Sequence, residues 1–351
     1  MSSIRIAVIA GDGIGKEVIP AGIAALEAAV RGSRVSLSFE NLPWSCDYYL
    51  KHQRMIDEDG FDRLTTFDAI YLGALGAPGV SDVASAGLIL AIRQRFDQYV
   101  NLRPMRLLAG LSSPLANRST ADIDMVCVRE NSEGEYSGVG GRIHRGTPHE
   151  VAQQTGVFTR NGIERILRYG FELASKRPRK MLASATKSNA LTHSMVMWDE
   201  IAEIVRADHP SVEYRKYHVD ALAARMVTHP QTLDVMVTSN LFGDILTDIG
   251  SAISGSLGIA PGANINPTRR HPSMFEPIHG SAPDIAGKGI ANPIGAIWAG
   301  ALMLEHLGHR DLHDKVLGAI ERVVAGGKIR TPDLGGQATT EQMKNAIVAE
   351  I

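Results

Sequence analysis

Asp244 and Asp248 lie four residues apart in Asn240-Leu-Phe-Gly-Asp-Ile-Leu-Thr-Asp248, directly after the β-branched run Asp234–Ser239. On a helix that spacing puts both carboxylates on one face, beside Ile245 and Ile249. Stacked like charges repel by about 0.2–0.5 kcal/mol even when solvated. A hard divalent cation removes the conflict, because Mg²⁺ and Mn²⁺ take oxygen ligands, often one or two carboxylates. A solvated acidic helix start near the positive end of the helix dipole accounts for the same pair. Arg93, Arg103 before Pro104, and Arg129 after Met125-Val-Cys-Val128 form a second set. Guanidinium grips carboxylate bidentately, so three converging arginines would suit a di- or tricarboxylate. Taken singly, each also reads as a surface residue. Lys187 follows an apolar run ending at Thr186. At the carboxyl end of a parallel strand it lies where open α/β sheets place ligands, and desolvation near a cation would make it a base. A solvated helix-start lysine is the alternative.

Two further motifs carry less. Gly11-Asp-Gly-Ile-Gly15 sits between a strand and a helix, but the dinucleotide fingerprint G-x-G-x-x-G needs its third glycine where Lys16 stands. A tight strand-to-helix turn needs such glycines anyway. His306, His309 and His313 follow Glu305 at helical spacings, yet Gly308, Arg310, Asp311 and Asp314 mark an exposed junction between helices rather than a metal cluster.

Something must position these groups. Short β-branched runs at Ile4–Ala10, Val35–Phe39, Ala69–Leu75, Asp124–Val128, Lys180–Thr186, Val212–His218 and Asp234–Ser239 alternate with helical patterns such as Lys16–Val30, Asn161–Lys176, Ala190–Arg206 and Pro293–Leu307. That alternation predicts an α/β protein with a mostly parallel sheet covered by helices. Glu133–Gly146, rich in glycine, breaks the rhythm, and Glu150–Thr159 has strand character without a helical partner. Together they suggest a projecting arm that pairs with another chain.

At 351 residues the chain suggests about two domains. With 36 basic and 38 acidic residues the formal net charge is −2, and aromatics make up 5%, so neither a phosphate-binding nor a base-stacking surface is indicated. We therefore expect no nucleic-acid partner. Cys46 and Cys127, the only cysteines, make neither a zinc framework nor a disulfide scaffold, which points to a reducing cytoplasm. The apolar run at Ile4–Ala10 leaves no room for a signal peptide. Ile249–Thr268 is uncharged, but its glycines, serines, prolines and asparagines read as a helix end plus loop, so no membrane partner is expected.

Taken together, five blocks resemble the β-decarboxylating dehydrogenases, the family of isocitrate, isopropylmalate, tartrate and D-malate dehydrogenases. They are Asn101-Leu-Arg-Pro104, Val128-Arg-Glu-Asn-Ser-Glu-Gly-Glu-Tyr136, Ala185-Thr-Lys-Ser-Asn189, Asn240–Asp248, and His279-Gly-Ser-Ala-Pro-Asp-Ile-Ala-Gly-Lys-Gly-Ile-Ala-Asn-Pro293. The resemblance covers essentially the whole chain. It implies the isopropylmalate dehydrogenase-like two-lobed fold, not a true Rossmann fold. Residues 1–99 and 256–351 would form a cofactor lobe, 100–255 a dimerising substrate and metal lobe, and about 137–160 the arm.

The resemblance also implies roles. Arg93, Arg103 and Arg129 would hold the malate carboxylates, with Leu88, Ile89 and Leu90 beside the substrate's C3 group. Tyr136 matches the general acid and Lys187 the base. Asp220 matches the third metal ligand beside Asp244 and Asp248, with Mg²⁺ or Mn²⁺ bound and a monovalent cation such as K⁺ as a further candidate. Lys187 and Asp220 would enter from the partner of a homodimer. Cofactor contacts would come from Ile14 and Glu276, from His279, Gly280, Ser281, Ala282, Pro283, Asp284 and Ile285, and from Asn292. Asp284 matches the NAD-preferring members, because a carboxylate accepts hydrogen bonds from ribose hydroxyls and repels a 2′-phosphate. With Tyr136, Lys187 and all three aspartates present, a non-catalytic regulatory subunit is disfavoured.

The substrate reading rests on finer matches. Leu88–Leu90 offer no hydroxyl for isocitrate's extra carboxylate, which would be desolvated without partners. Asp47-Tyr-Tyr-Leu-Lys-His52, Gly73-Ala-Leu-Gly-Ala-Pro78 and Phe96-Asp-Gln-Tyr99 resemble the tartrate/D-malate subgroup. That subgroup usually carries Leu-Trp-Gly where this chain has Ser85-Ala86-Gly87. The smaller residues enlarge the pocket and keep a 3-alkylmalate such as 3-isopropylmalate as the alternative.

Overall fold

The computed structural model describes residues 2–351. In chain order its elements are β1 (Ser2–Gly11), α1 (Gly15–Val30), β2 (Val35–Asn41), α2 (Cys46–His52), α3 (Gly60–Leu64), β3 (Ala69–Ala74), α4 (Asp82–Arg95), β4 (Val100–Arg106), β5 (Asp124–Glu130), β6 (Gly140–Ile143), β7 (Val151–Gln154), α5 (Arg160–Lys176), β8 (Met181–Thr186), α6 (Ser194–Ala207), β9 (Glu213–His218), α7 (Val219–Thr228), β10 (Val235–Thr238), α8 (Asn240–Ile253), β11 (Pro261–Ile265), β12 (Ser273–Pro277), α9 (Ile294–His306), α10 (Arg310–Gly326) and α11 (Thr340–Glu350).

Ten strands form one sheet in the order β2-β1-β3-β12-β11-β4-β5-β10-β8-β9. The four strands at each end run parallel to one another, while β12–β11, β11–β4 and β4–β5 are antiparallel. The sheet is thus two parallel halves joined through an antiparallel seam. The chain enters the β4 side once, at β4, and returns once, between α8 and β11.

Side chains alternate between sheet faces, and the two faces differ. On one, Ile4, Ile6 and Val8 of β1, Val128, Leu182, Ala263 and Phe275 join a core continuous across both halves, covered by helices such as α1, α5, α6, α9 and α10. On the other face the apolar core is broken in two. Ile9, Leu72, Met274 and Phe96 form one cluster, and Met105, Cys127, Ala183 and Leu246 form another. The alternate residues of the seam strands, namely Glu276, Asn264, Asn101, Arg103 and Arg129, emerge between them. Registers align this row, with Asn264 opposite Asn101 and Asn101 opposite Arg129.

Helices flank the row. Leu88, Ile92 and Phe96 seat α4 and its C-cap on one cluster, and Leu246 and Ile253 seat α8 on the other. α8 approaches closely because Gly243 has no side chain; a Cβ there would lie 2.5 Å from Arg129 Cγ. The arm is the β6–β7 hairpin, all eight residues exposed, with Val139, Ile143 and Val151 presented to solvent.

Three strands depart from the sequence reading. β4, β11 and β12 carry Pro104, Pro261 and Pro277, and Ile249–Thr268 turns out to contain β11 rather than only a helix end and loop. Proline suppresses strand character in a pattern reading, yet Pro261 and Pro277 stand at strand ends. The histidine segment is also less exposed than expected: His313 is buried and hydrogen-bonds Asp314, and His306 contacts Ser273 and tilts against Phe275. Burial pushes the His306 imidazole down to about 4.

Gly13 shows why the first glycine motif exists. It lies at φ +52°, and a Cβ would meet the Ser281 carbonyl oxygen at 2.0 Å. Left-handed backbone costs about 1–2 kcal/mol for a residue with a Cβ, before the loop is displaced. Gly13→Ala is therefore expected to lower stability by about 2 kcal/mol or more, read from the urea midpoint; an unchanged midpoint would refute this account of the turn.

Candidate active site

Arg129 sits at the carboxyl end of β5 and is 2% exposed. Its Nε and Nη2 donate to Asn240 Oδ1 at 3.0 and 2.7 Å, and its Nη1 to Asp244 Oδ1 at 2.5 Å. Arg103, two residues along β4 from the Asn101 that opposes Arg129, donates to Thr247 Oγ1 at 2.7 Å and lies 3.9 Å from Asp244. Arg93, from α4, reaches Glu276 Oε1 at 3.1 Å. All three arginines are buried, and all three converge around the seam.

The electrostatics are those of crowded, desolvated cations. Burial, and then the neighbouring Arg103 and Arg93, pulls Arg129 down to about 10. Burial and Arg93 lower Arg103. Burial works against the charged form of Asp244, but Arg129 and Arg103 outweigh it and hold the carboxyl below its ordinary value. Tyr136 Oη donates to Asp244 Oδ2 at 3.0 Å, and Arg129 lies over its ring at 5.6 Å. Burial and Asp244 raise the phenol, so it keeps its proton at neutral pH. Arg93 Nε and Arg103 Nε are buried with no hydrogen-bond partner. Three guanidiniums against two carboxylates, with donors left over, fit an anionic ligand that brings its own oxygens.

Asp248 lies one turn beyond Asp244 on α8 and is exposed. Asp220 lies elsewhere: Lys187 donates to its Oδ1 at 2.7 Å, and Lys187 lowers the Asp220 carboxyl. These two follow the paired ends Thr186 and His218 of β8 and β9. Strands are spaced at about 4.8 Å, so the β8 and β9 ends are about 10–14 Å across the sheet from Arg129 on β5. Among the described residues of one chain, no three His, Cys, Asp or Glu groups gather to hold a metal ion. Asp244 and Asp248 supply hard oxygen donors on one helix face, a set suited to Mg²⁺ or Mn²⁺ but incomplete by itself.

The loop after β12 leaves the carboxyl edge of the other parallel half, where such sheets place ligands. It rests on the glycine turn: Ile14 N donates to Ser281 O, and the next amides, Gly15, Lys16 and Glu17, turn back onto Asp12, Gly13 and Ile14 carbonyls. The start of α1 is plugged by protein, not left open as a phosphate cradle. His279 Nδ1 meets Gly280 O, while its Nε2 is buried without a partner, and burial lowers the ring's proton affinity. Ala282 takes φ +42°, turning Pro283 and Asp284 outward, both exposed, with Ile285 half-buried. Asn292 lies deeper: its Oδ1 caps Ile294 N at 3.0 Å and its Nδ2 donates to Asp333 at 3.0 Å. Its side chain is committed to the fold, which leaves its backbone to meet any ligand.

Not every expected residue faces the arginines. Leu88 is buried with Ile9, Leu72 and Phe96, on the opposite side of α4 from Arg93, because five residues turn a helix about 140°. Ile89 and Leu90, four and three residues before Arg93, lie nearer its side, and Ile89 also packs against the Leu88 cluster. Sequence reasoning missed Asn240 and Thr247, which hold Arg129 and Arg103, Asn264, which holds Glu276, and Asn101, which holds Asn264. Asn101 and Asn240 sat inside quoted blocks; Asn264 gave no signal beyond an asparagine in an uncharged stretch.

Comparison with known proteins gives the class to which a fold and site of this kind belong. The model of the isocitrate/isopropylmalate dehydrogenase family matches residues 5–347. The chain is 54% identical to the D-malate dehydrogenase [decarboxylating] of Escherichia coli (strain K12), over 99% of this chain and 98% of that protein. It is 53% identical to the tartrate dehydrogenase/decarboxylase of Pseudomonas putida, over 98% and 97%. The isocitrate dehydrogenase of Methylococcus capsulatus superposes with a TM-score of 0.88 at 35% identity, covering 99% of each chain. The chain belongs to the isocitrate/isopropylmalate dehydrogenase family, and it is an oxidoreductase of the decarboxylating kind. Among the described residues, no helix is long and apolar enough to cross a membrane.

Asn240→Ala would leave two buried Arg129 hydrogens unpartnered. We expect a stability loss of about 1–3 kcal/mol, the usual penalty for such a group, together with a raised KM for the acid substrate. Wild-type stability and KM in this variant would contradict the role given to Asn240.

Proposed function

We propose that the chain oxidises and decarboxylates a malate-type 2-hydroxy diacid, D-malate or tartrate, with NAD⁺ and a divalent cation, as a homodimer with shared sites. The observation that carries this reading is the meeting of Arg93, Arg103 and Arg129 with Asp244 and Tyr136 at the sheet seam. The 52–54% relatives named for D-malate and tartrate support the substrate class. The two parallel halves of the sheet support a division into two lobes, 1–99 with 256–351 and 100–255.

The arginines bind the substrate carboxylates and orient the hydroxyl-bearing carbon. Asp244 and Asp248, with Asp220 of a second chain, would hold Mg²⁺ or Mn²⁺, which supplies Lewis acidity to the hydroxyl and the later ketone. The 279–292 loop with Ile14 and Glu276 would hold NAD⁺, the hydride acceptor; the exposed Asp284 carboxylate favours an unphosphorylated ribose. Lys187 of a second chain takes the hydroxyl proton as hydride departs. After the β-carboxylate leaves as CO₂, Tyr136, protonated at neutral pH, delivers a proton to the enolate carbon. The exposed β6–β7 hairpin fits the pairing of two chains.

A second reading within the class is a 3-alkylmalate. It is supported by Ala86, small and exposed one further turn from Arg93 on the face shared by Ile89 and Leu90.

Two measurements test the proposal. NADH formation from D-malate with Mn²⁺ is expected, abolished by EDTA, weak with NADP⁺, and exceeding that from 3-isopropylmalate and isocitrate when these and both tartrates are assayed in parallel. Equal turnover with NADP⁺, or activity indifferent to chelation, would refute the cofactor assignment. Tyr136→Phe is expected to slow the protonation step about 10²–10⁴-fold; a loss below about tenfold would remove Tyr136 from the acid role.

A further inference from the structure

Asn264 lies on β11, the strand through which the two halves of the sheet meet, and it is fully buried. Its amide is divided by function. Oδ1 accepts from Asn101 Nδ2 at 2.8 Å and Asn131 Nδ2 at 2.9 Å, both on the far side of the seam or beyond it. Nδ2 donates to Glu276 Oε1 at 2.7 Å. The same Glu276 oxygen accepts from Arg93 Nη2. A chain of hydrogen bonds therefore runs from the β4–β5 side of the sheet, through one amide, to the carboxylate that fixes Arg93.

We propose that Asn264 is a positioning residue for hydroxy-acid binding: by holding the Glu276 carboxylate it aims the Arg93 guanidinium at the substrate. The inference rests on the reading of Arg93 as a carboxylate grip. Glutamate has three rotatable side-chain bonds and arginine four, so neither is fixed by its own backbone. Guanidinium is planar with donors in a fixed fork, so pinning Nη2 also sets where the unpartnered Nε points. Among side chains of this size, only asparagine accepts from two amides on one side while donating to a carboxylate on the other. Leucine would strand all of these groups. Aspartate keeps the accepting side but turns the donor into an oxygen facing Glu276, where two charges repel.

That asymmetry defines the experiment. Asn264→Asp and Glu276→Gln are compared with the wild type for NADH formation from D-malate with NAD⁺ and Mn²⁺, and for D-malate binding by calorimetry. Glu276→Gln keeps an oxygen that can accept from both Asn264 Nδ2 and Arg93 Nη2, as Glu276 Oε1 does, whereas Asn264→Asp replaces the donor between them by a charge. Asn264→Asp is expected to raise KM and Kd for D-malate at least tenfold with kcat altered less than threefold, and Glu276→Gln to raise them less. A merely structural role would lower stability without this split between KM and kcat. KM and Kd within twofold of wild type in Asn264→Asp, or a kcat that falls as far as KM rises, would overturn the proposal. If Asn264→Asp does not fold, Asn264→Ser carries the same expectation for KM and Kd. Absence of wild-type turnover with every hydroxy acid would sink the proposed function instead, while calorimetry still decides the role of Asn264.

Discussion

Three guanidiniums taken out of water at one place are the constraint to which the rest of the molecule answers. Like charges about 6 Å apart repel by about 3 kcal/mol at an effective dielectric near 20, and burial first, then this repulsion, lowers the proton affinities of Arg103 and Arg129. Asp244 and Glu276 neutralise part of it. Asn240 and Thr247 satisfy further donors, and the buried Nε atoms of Arg93 and Arg103 remain for a ligand. Such a site is preorganised for an anion: its cations are already desolvated, so on the proposed reading a dicarboxylate would meet fixed donors rather than water that must first leave.

Only a rigid support can hold that arrangement, and the sheet provides it by interrupting its own hydrophobic face. One face is apolar from end to end; the other changes to amides and ions for the width of the seam. α4 and α8 are each anchored on one of the two remaining apolar clusters, so the helix carrying Arg93 and the helix carrying Asp244 belong to different halves.

This organisation also explains what the sequence could disclose. β3, β8 and β10 are mostly apolar and buried on both faces, β1 and β5 carry an apolar run through their middles, and periodicity finds all five within a residue or two. The strands it does not find, β4, β11 and β12, contain Asn101, Arg103, Asn264 and Glu276. The residues that make the seam functional erase the apolar pattern that would reveal a strand. Arg103, Arg129, Tyr136 and Asp244 could be named from their blocks, because such blocks are contiguous in sequence. The contacts of their supports could not: Asn264 meets Asn101 from 163 positions away, and only strand order brings them together. The glycine motif failed for a related reason. Gly11 to Gly15 has the composition of a phosphate cradle, but the backbone of Ser281, distant in sequence, fills it.

The placement of Lys187 bears on why one chain would be insufficient. At 2.7 Å from Asp220, Lys187 gives a hydrogen to that carboxylate, two strands away from Arg129 within the same chain. On the proposed reading, a second chain brings this pair to the Asp244–Asp248 face, where Asp220 finds a different electrostatic partner and Lys187 meets the substrate hydroxyl instead. Within one chain Lys187 and Asp220 form an exposed ion pair, and β10, a strand buried along its whole length, stands between them and Arg129.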